Sequence, residues 1–383
     1  MVDISENKKI KIMHVVECGG GVERYLKSFL KYIDMEKFDN ILVLSERYKK
    51  ETYEKYTKNI EIITIRHKIG PHLIFSALKI RKLINKYKPD IVYAHSSVAG
   101  FVARVANVWK KNACVYNPHG WSFNMQEKKS KVFLCVERIM AHFCDLIICI
   151  SGAEWESAIT NKICKEDKLY LIYNGIDFDE YTKNEIDRNK MDVPLKAYVI
   201  GMVGRISKQK ATDIFVKMAG EINRKLENTY YIIVGDIIEG AETEKQQLLE
   251  LAEKLGIKLK ITGWVDNPID YIKIFDVACL LSRWEGFGLV LPEYMMCGKP
   301  IVASNVDAIP YLIENKVNGV LVDVDDYKAA ANEVINIINN TSFRDKLSNN
   351  ARMMVKEKFD VKRVVREHEK IFTDIMKKNG RNI

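Results

Sequence analysis

Short runs of β-branched and apolar residues alternate with segments of helical periodicity along nearly the whole chain. In the first half the strand candidates are KIKIMHVV, NILVLS, IEIITI, DIVYAHS, ACVYNPH, DLIICIS and LYLIYNG. The alternation resumes in the second half with AYVIGMVGR, YYIIVG, KLKITG, DVACLLS, KPIVAS and NGVLVD. Because parallel strands are joined by crossover helices, this order predicts an α/β fold with doubly wound sheets.

The chain of 383 residues is longer than one hydrophobic core usually organises, which favours two domains. A polar stretch at 177–196, DFDEYTKNEIDRNKMDVPLK, lacks apolar periodicity and separates the two series of strands. We therefore predict an N-terminal domain over 1–180, a linker over 181–196 and a second domain over 197–360. Residues 361–383 are predicted to form a C-terminal helix that crosses back to the first domain.

The sequence favours a cytoplasmic protein. Charges flank the first short apolar run, MVDISENKKIKIMHVV, and no small-residue cleavage site follows, so we expect no signal peptide. No apolar stretch reaches the roughly 18 residues of a membrane-spanning helix. The eight cysteines form no C-x-x-C pair, and most lie in apolar runs as expected for free, buried thiols.

The net charge of +9 is concentrated in the first half. Residues 1–190 carry 32 basic and 24 acidic groups, a balance of +8, and residues 191–383 carry 28 and 27, a balance of +1. Such a surplus suits an anionic membrane surface, a phosphorylated acceptor or nucleic acid. Nucleic acid is not expected as a partner, because the basic residues are not interleaved with clustered aromatics and form no known binding module.

Three constellations follow predicted strands, where open parallel sheets bind their ligands. In CGGGVERYL, three glycines open the first helix and allow a close approach of an anion. A tight turn without a ligand is an equally good interpretation of these glycines. In VGRISKQK, Arg205 and Lys210 place two cations that suit a departing diphosphate. An exposed basic turn is the alternative for this pair taken alone.

The third constellation is EGFGLVLPEYM at 285–295, with two carboxylates eight residues apart. The glycines let loop N–H groups turn toward a phosphate or a sugar oxygen, and Pro292 suits the first turn of a helix. Glu293 would then stabilise its own helix start, or accept the vicinal hydroxyls of ribose or hexose. Its spacing from Glu285 alone does not decide between these roles.

Taken together, these segments resemble the retaining glycosyltransferases of family 4. GGGVERYL, NPHGWSF, LIYNGID, VGRISKQK, the E-x7-E pair and PYLIENKVNGVLV occur in that family's order over nearly the whole chain. The resemblance implies the GT-B fold, in which two Rossmann-like domains face each other across a cleft. It also implies that the first domain binds the acceptor and the second binds the nucleotide sugar.

The resemblance assigns roles to individual residues. Arg205 and Lys210 would grip the diphosphate, Glu285 would bind hydroxyls of the donor sugar, and His119 would lie near the reacting sugar. As an imidazole, His119 is expected to titrate near neutrality, and a loop-capping role is its alternative. Further donor contacts are implied for Gly20, Gly21, Gly286, Phe287, Gly288, Leu289, Val290 and, at the ribose, Glu293. Asn174 and the loop 263–267 would lie nearby. Two departures from the family pattern are Ala211 in place of glycine and Arg283–Trp284 at a variable place.

The implied reaction is sugar transfer with retention from a nucleotide-diphosphate sugar to a glycan or polyprenyl-diphosphate-linked acceptor. UDP is the commonest nucleotide of the family, and GDP is left open. No cofactor and no metal are expected, and helix capping is expected to explain Asp325 in the D-x-D sequence at 323–325. The same architecture leaves two alternatives, a sugar-nucleotide epimerase and a catalytically silent nucleotide-sugar binder.

One helical segment favours peripheral attachment at the inner face of the plasma membrane. LIFSALKIRKLINKYK mixes apolar and basic positions. The apolar positions are Leu73, Phe75, Leu78, Ile80, Leu83 and Ile84, and the basic ones are Lys79, Arg81, Lys82, Lys86 and Lys88. A core helix with a solvated lysine face is the alternative. The biological setting that we expect is bacterial surface polysaccharide assembly.

Overall fold

The structure, a computed structural model, describes residues 9–65, 70–124, 130–181, 188–191, 193–238, 240–378 and 380. The chain divides into two compact units. The first comprises Met1–Gly175 and Val361–Ile383, and the second comprises Ile176–Asp360.

The first unit is built on a parallel sheet of seven strands within the described residues, in the order β3-β2-β1-β4-β5-β6-β7. Its strands are β1 (Ile10–Val16), β2 (Phe38–Ser45), β3 (Ile60–Ile63), β4 (Ile91–His95), β5 (Ala113–Asn117), β6 (Leu146–Cys149) and β7 (Leu169–Leu171). Its helices are α1 (Gly21–Tyr32), α2 (His72–Tyr87), α3 (Ser97–Asn107), α4 (Ser130–Met140), α5 (Gly152–Thr160) and α13 (Val361–Lys378). The chain order reverses between β1 and β4, which is where such sheets bind ligands.

The second unit repeats the plan with six parallel strands among the described residues, in the order β10-β9-β8-β11-β12-β13. The strands are β8 (Tyr198–Val203), β9 (Thr229–Val234), β10 (Leu259–Ile261), β11 (Val277–Leu280), β12 (Ile301–Ser304) and β13 (Val320–Val322). The helices are α6 (Thr212–Asn223), α7 (Glu242–Lys254), α8 (Pro268–Ile274), α9 (Val290–Met296), α10 (Ile309–Leu312), α11 (Tyr327–Asn339) and α12 (Thr341–Lys358). Here the reversal lies between β8 and β11, which pair directly.

The central strands are buried on both faces, which explains their continuous apolar runs. Every residue of β4, β5, β11 and β12 is buried. In the first unit the C-terminal helix α13 completes the core, because its Val364 and Phe372 pack in one cluster with Phe29 of α1 and Tyr93 of β4. Each unit therefore has its own hydrophobic core.

The chain passes between the units at Gly175–Ile176 and again at Asp360–Val361, whereas we predicted the first division at residue 180. Ile176 donates its N–H to the carbonyl of Phe359 over 2.8 Å, within the second unit. Of the predicted linker 181–196, residues 182–187 and 192 lie outside the described residues. In its described part, Arg188 donates to the carbonyl of Ile274 over 2.9 Å and Val193 is buried. Those residues are part of the second unit rather than a free connection.

We expect Gly235, at the end of β9, to be the glycine of the second unit least tolerant of a side chain. Its φ is 143°, and a Cβ there would lie 2.2 Å from the carbonyl oxygen of Gly204, a backbone atom that cannot rotate away. Gly235→Ala should lower the free energy of unfolding by about 3 kcal/mol or more. Urea denaturation of the full chain measures this.

Gly240 provides the matched control. Its φ is 89°, but a Cβ there would meet no atom of the described residues within 4 Å, so Gly240→Ala incurs backbone strain of about 1 kcal/mol without a clash. Equal stability of the two variants would show that the backbones of β8 and β9 do not approach as closely as described.

Candidate functional site

The loop after β8 carries Arg205 and Lys210 and leads into α6. Arg205 is exposed, and its Nη2 donates to Oε1 of Gln209 over 3.2 Å. Gln209 in turn donates through Nε2 to the carbonyl of Trp284 over 3.2 Å. The loop after β8 and the loop after β11 are thereby connected, as expected for exits of neighbouring strands.

Lys210 and Glu285 form an ion pair across these two loops. Nζ of Lys210 lies 2.5 Å from Oε2 of Glu285, with 14% and 10% of the side chains exposed. The hydroxyl of Ser282 donates to the same carboxylate oxygen over 3.3 Å. A lysine ammonium has three donors and a carboxylate about four acceptor sites, so both groups keep capacity for a ligand.

The backbone around Glu285 is held at both ends. Its N–H donates to Oδ2 of Asp307 over 2.9 Å, and its carbonyl accepts from the N–H of Ala308 over 3.4 Å. Burial raises the pKa of Asp307, and the nearby Glu285 carboxylate adds to the effect. Gly288 follows with φ of 81°, and a Cβ there would lie 3.2 Å from Cγ of Glu285. The turn therefore requires glycine for both its conformation and its space.

Glu293 lies in the first turn of α9 and is 3% exposed. The helix is tied to the end of β8, because the N–H of Val203 donates to the Tyr294 hydroxyl over 2.8 Å. Of the other residues predicted here, Phe287 and Val290 are buried. Gly286, in the loop before α9, and Leu289, the N-cap of α9, are partly exposed.

Arg283, at a place where the family pattern varies, connects the loops that carry Lys210 and Glu285. Its Nη1 and Nη2 donate to the two carboxylate oxygens of Asp213 over 3.0 and 2.9 Å. Nε donates to Oδ1 of Asp325 over 2.7 Å, and Nη1 also donates to the carbonyl of Lys208 over 2.9 Å. Burial alone would raise the pKa of Asp213, but Arg283 outweighs it and holds the pKa below its usual range.

The prediction that helix capping explains Asp325 is wrong. Asp326 is the N-cap of α11, where its Oδ1 accepts from the N–H of Ala329 over 2.9 Å. Asp325 adopts φ of 65° and accepts from Arg283 instead. In the part of the chain that the structure describes, no group of three or more His, Cys, Asp and Glu side chains is placed to hold a metal ion.

In the first unit, Gly20 and Gly21 follow β1 and begin α1, with Gly20 at φ of 68°, and no side chain of the described residues caps the helix. His119 follows β5 with φ of 51°, and its ring lies 4.9 Å, centroid to centroid, from that of Tyr25 on α1. These residues are thus grouped at the exits of strands of one sheet.

The predicted titration of His119 near neutrality is wrong. The residue is partly exposed, but its imidazole is packed against Tyr25 and His95, and this burial lowers its pKa to about 3. A neutral imidazole with one N–H is therefore present at physiological pH.

Asn174 is buried, and its Oδ1 has no hydrogen-bond partner among the described residues. In the loop 263–267, Trp264 is 65% exposed, and Asn267 caps α8 by accepting from the N–H of Ile269 over 3.2 Å.

The sequence suggested no role for Asp213, Ser282 or Asp307. Their only signal was position after a strand or at the start of a helix.

Two Rossmann-like units of parallel strands, with polar and glycine-rich loops at the strand exits, are the elements of the GT-B fold. The structure of HepE from Anabaena in complex with UDP and glucose superposes with a TM-score of 0.83 at 22% identity, over 95% of this chain and 99% of that one. This similarity establishes the fold.

The family model described as Glycosyltransferase Family 4 matches residues 19–180, and the model described as Glycosyl transferases group 1 matches residues 183–354. The chain therefore belongs to glycosyltransferase family 4. A protein in the cps region of Klebsiella pneumoniae, described as uncharacterized, is 30% identical over 86% of this chain and 89% of its own length. An Escherichia coli UDP-Gal:alpha-D-GlcNAc-diphosphoundecaprenol alpha-1,3-galactosyltransferase is 26% identical over 97% of this chain and 99% of its own.

We expect Arg283 to immobilise the loops that carry Lys210 and Glu285. Arg283→Lys removes the planar fork that binds both oxygens of Asp213 and cannot replace the bond to Asp325. Because the site is partly solvated, the stability loss should be modest, about 1 kcal/mol. Amide hydrogen exchange at 207–210 and 284–288 should accelerate about tenfold or more.

Arg224→Lys is the control, since Arg224 is exposed and pairs only with Glu221 among the described residues. If exchange in the two loops is the same in both variants, Arg283 does not hold them.

Proposed function

We propose that this glycosyltransferase transfers a sugar, with retention, from a UDP-sugar to a glycan or lipid-linked acceptor in bacterial surface polysaccharide assembly, without a metal ion. The observation that carries the proposal is the Lys210–Glu285 pair beside Arg205 at the reversal point of the second sheet. The related Escherichia coli enzyme supports the nucleotide and the acceptor class, because its name specifies UDP-Gal and an undecaprenyl diphosphate acceptor.

The two cations suit a diphosphate whose charge increases as it leaves. Each full-charge contact at ~4 Å is worth roughly 4 kcal/mol at an effective dielectric near 20, before desolvation is subtracted. Arg205 is exposed and oriented by Gln209, so it can turn to a ligand at little cost. Lys210 uses one of its three donors on Glu285 and retains two for phosphate oxygens.

Glu285 is suited to a sugar hydroxyl. Both of its described side-chain bonds, from Lys210 and Ser282, fall on Oε2. Among the described residues Oε1 accepts no hydrogen bond, so it can accept one from the donor sugar. Glu293, one turn into the helix, is proposed for the ribose hydroxyls.

The proposed chemistry needs positioning and charge stabilisation rather than an enzyme nucleophile. The bond between the anomeric carbon and the diphosphate oxygen breaks, and the acceptor oxygen attacks the same face. The acceptor proton passes to the departing diphosphate. Arg205 and Lys210 stabilise the charge that develops on that group, which is the role that a divalent cation has in other transferases.

The test is release of nucleoside diphosphate from a panel of UDP- and GDP-sugars, with and without a bacterial lipid extract as the acceptor source, in EDTA. Arg205→Ala and Lys210→Ala should each lower acceptor-dependent turnover by roughly tenfold or more, equivalent to about 1.4 kcal/mol of transition-state stabilisation. Arg224→Ala, a change of the same kind on an exposed helix position, should leave turnover unchanged.

Consumption of the donor without an acceptor would indicate the epimerase alternative. Tight nucleotide-sugar binding without any turnover would indicate a silent binder. Dependence on a divalent cation would contradict the proposed role of the two basic side chains.

We further infer that α2 binds an anionic membrane surface. In the described residues no helix is both long enough and apolar enough to span a bilayer. Ile74, Phe75 and Leu78 nevertheless project from α2 with 64%, 66% and 52% of their surface exposed. Lys79 and Lys82 are exposed beside them, and such a mixture favours the interfacial region of an anionic bilayer.

Only part of the predicted amphipathic pattern contributes to this surface. Leu73, Ile80 and Ile84 are core residues. Arg81 donates to the carbonyls of Ala106 and Val108 at 3.0 and 2.9 Å, and Lys86 pairs with Glu61 at 2.7 Å. The membrane-facing set is therefore smaller than the sequence indicated.

Cosedimentation with vesicles of phosphatidylglycerol and phosphatidylcholine tests the inference at low salt. The wild-type chain should bind, and Lys79→Glu/Lys82→Glu or Phe75→Ser/Leu78→Ser should release it, because the first pair reverses attraction and the second removes apolar burial. Lys346→Glu, at an exposed position of α12, is the control. Absence of wild-type binding, or equal binding by all variants, would contradict the inference.

A further inference from the structure

A line of three imidazoles runs from the interior of the first unit to His119. His14 on β1 and His95 on β4 are completely buried, and these strands are neighbours in the sheet. Nε2 of His95 lies 3.3 Å from Nδ1 of His14, and Nδ1 of His95 lies 3.1 Å from Nε2 of His119. The rings of successive members are stacked, with centroids 5.5 and 5.4 Å apart.

The inner end of this line fixes the direction of its hydrogen bonds. Nε2 of His14 lies 3.1 Å from Oδ1 of Asn40 on β2. An amide oxygen only accepts, so Nε2 of His14 carries the proton and Nδ1 is left as an acceptor. His95 must then donate from Nε2 to His14 and accept at Nδ1. His119 must donate from Nε2 to His95.

This assignment requires each imidazole to be neutral. Burial lowers the pKa of His14 to about 4 and that of His119 to about 3, and it lowers the pKa of His95 well below the usual value. The groups packed around the line are the phenols of Tyr25 and Tyr93 and the imidazole of His368, whose pKa burial lowers to about 4. With one proton on each ring, the order of donors and acceptors is determined from Asn40 outward.

A second network fixes the backbone of His119. Its N–H donates to Oδ1 of Asn117 over 3.2 Å, and Nδ2 of Asn117 donates to the Tyr93 hydroxyl over 3.2 Å. Tyr93 and Tyr25 share a hydrogen bond of 2.9 Å, and Nε2 of His368 on α13 lies 3.0 Å from the Tyr25 hydroxyl. The main chain and the side chain of His119 are thus held by separate sets of partners.

We propose that Asn40, His14 and His95 are positioning residues that hold His119 as the Nε2–H tautomer, so that its Nδ1 presents a lone pair to the ligand. Among the described residues Nδ1 of His119 has no hydrogen-bond partner. The group therefore accepts a hydrogen bond from a hydroxyl of a sugar substrate and does not donate one. The role toward a sugar rests on the proposed function, whereas the tautomer does not.

The tautomer can be measured directly in the full chain labelled with ¹⁵N-histidine. Long-range ¹H–¹⁵N correlation spectra distinguish a protonated from an unprotonated ring nitrogen, and His119→Gln identifies the signals of His119 among the seven histidines. We expect Nδ1 of His119 to be unprotonated from pH 6 to pH 9. A protonated Nδ1 in the wild-type chain would overturn the proposal without any variant.

Two substitutions at residues distant from His119 test whether the line of imidazoles sets its tautomer. Asn40→Leu removes the acceptor that sets the direction, and His95→Phe interrupts the line while keeping a ring in the same space. Each should allow a substantial Nδ1–H population at His119. Tyr25→Phe is the matched control, because it keeps the ring against His119 and removes only a hydroxyl of the second network. The same tautomer of His119 in all three variants would overturn the proposal that the line of imidazoles sets it.

Kinetics separate this inference from the proposed function. In His95→Phe, turnover should fall roughly tenfold while the affinity for UDP, which the second unit is proposed to bind, changes less than about twofold. A wild-type chain without transferase activity would refute the proposed function and leave the tautomer result intact. A shifted tautomer with unchanged turnover would overturn the sugar contact alone.

Discussion

The candidate site of the second unit depends on one ion pair, between Lys210 and Glu285. Its two members come from loops 75 residues apart in the chain, and they meet because β8 and β11 are hydrogen-bonded neighbours at the reversal of the sheet. Opposite charges at this distance attract strongly only when their positions are fixed in advance, because otherwise side-chain entropy offsets the gain. Arg283, with Asp213 and Asp325 as partners, provides that fixation from beside the pair.

In the first unit, the candidate side chain is held in position without an ion pair. His119 is held by neutral hydrogen bonds, and the burial that lowers its pKa to about 3 keeps it neutral. An imidazolium at His119 would lose solvation, because the ring is packed against Tyr25 and His95. The two units thus differ in the groups that they present: a charged Lys210–Glu285 pair in the second unit and a neutral imidazole at His119 in the first.

Much of the fold could be predicted from the sequence because strands buried on both faces produce continuous β-branched runs, and each predicted run overlaps a strand of the structure. The site residues that directly follow such a run, namely the glycines, Arg205, Lys210 and Glu285, could also be predicted from the sequence. What could not be predicted depends on partners distant in sequence. Arg283 binds Asp213, 70 residues away, and His95 is hydrogen-bonded to His14, 81 residues away. Asp325 and Asp326 are adjacent acids, and only the backbone conformation determines which one caps the helix.

The central claim is that Arg205 and Lys210 hold a diphosphate, and calorimetric titration of the wild-type chain with UDP and with uridine tests it most directly. Both ligands offer the same base and ribose, so the difference in affinity reports the two phosphates. If the two cations bind the diphosphate, UDP should bind at least about tenfold more tightly than uridine at low salt, and the difference should shrink as salt screens the charges. Equal affinity for the two ligands would contradict it.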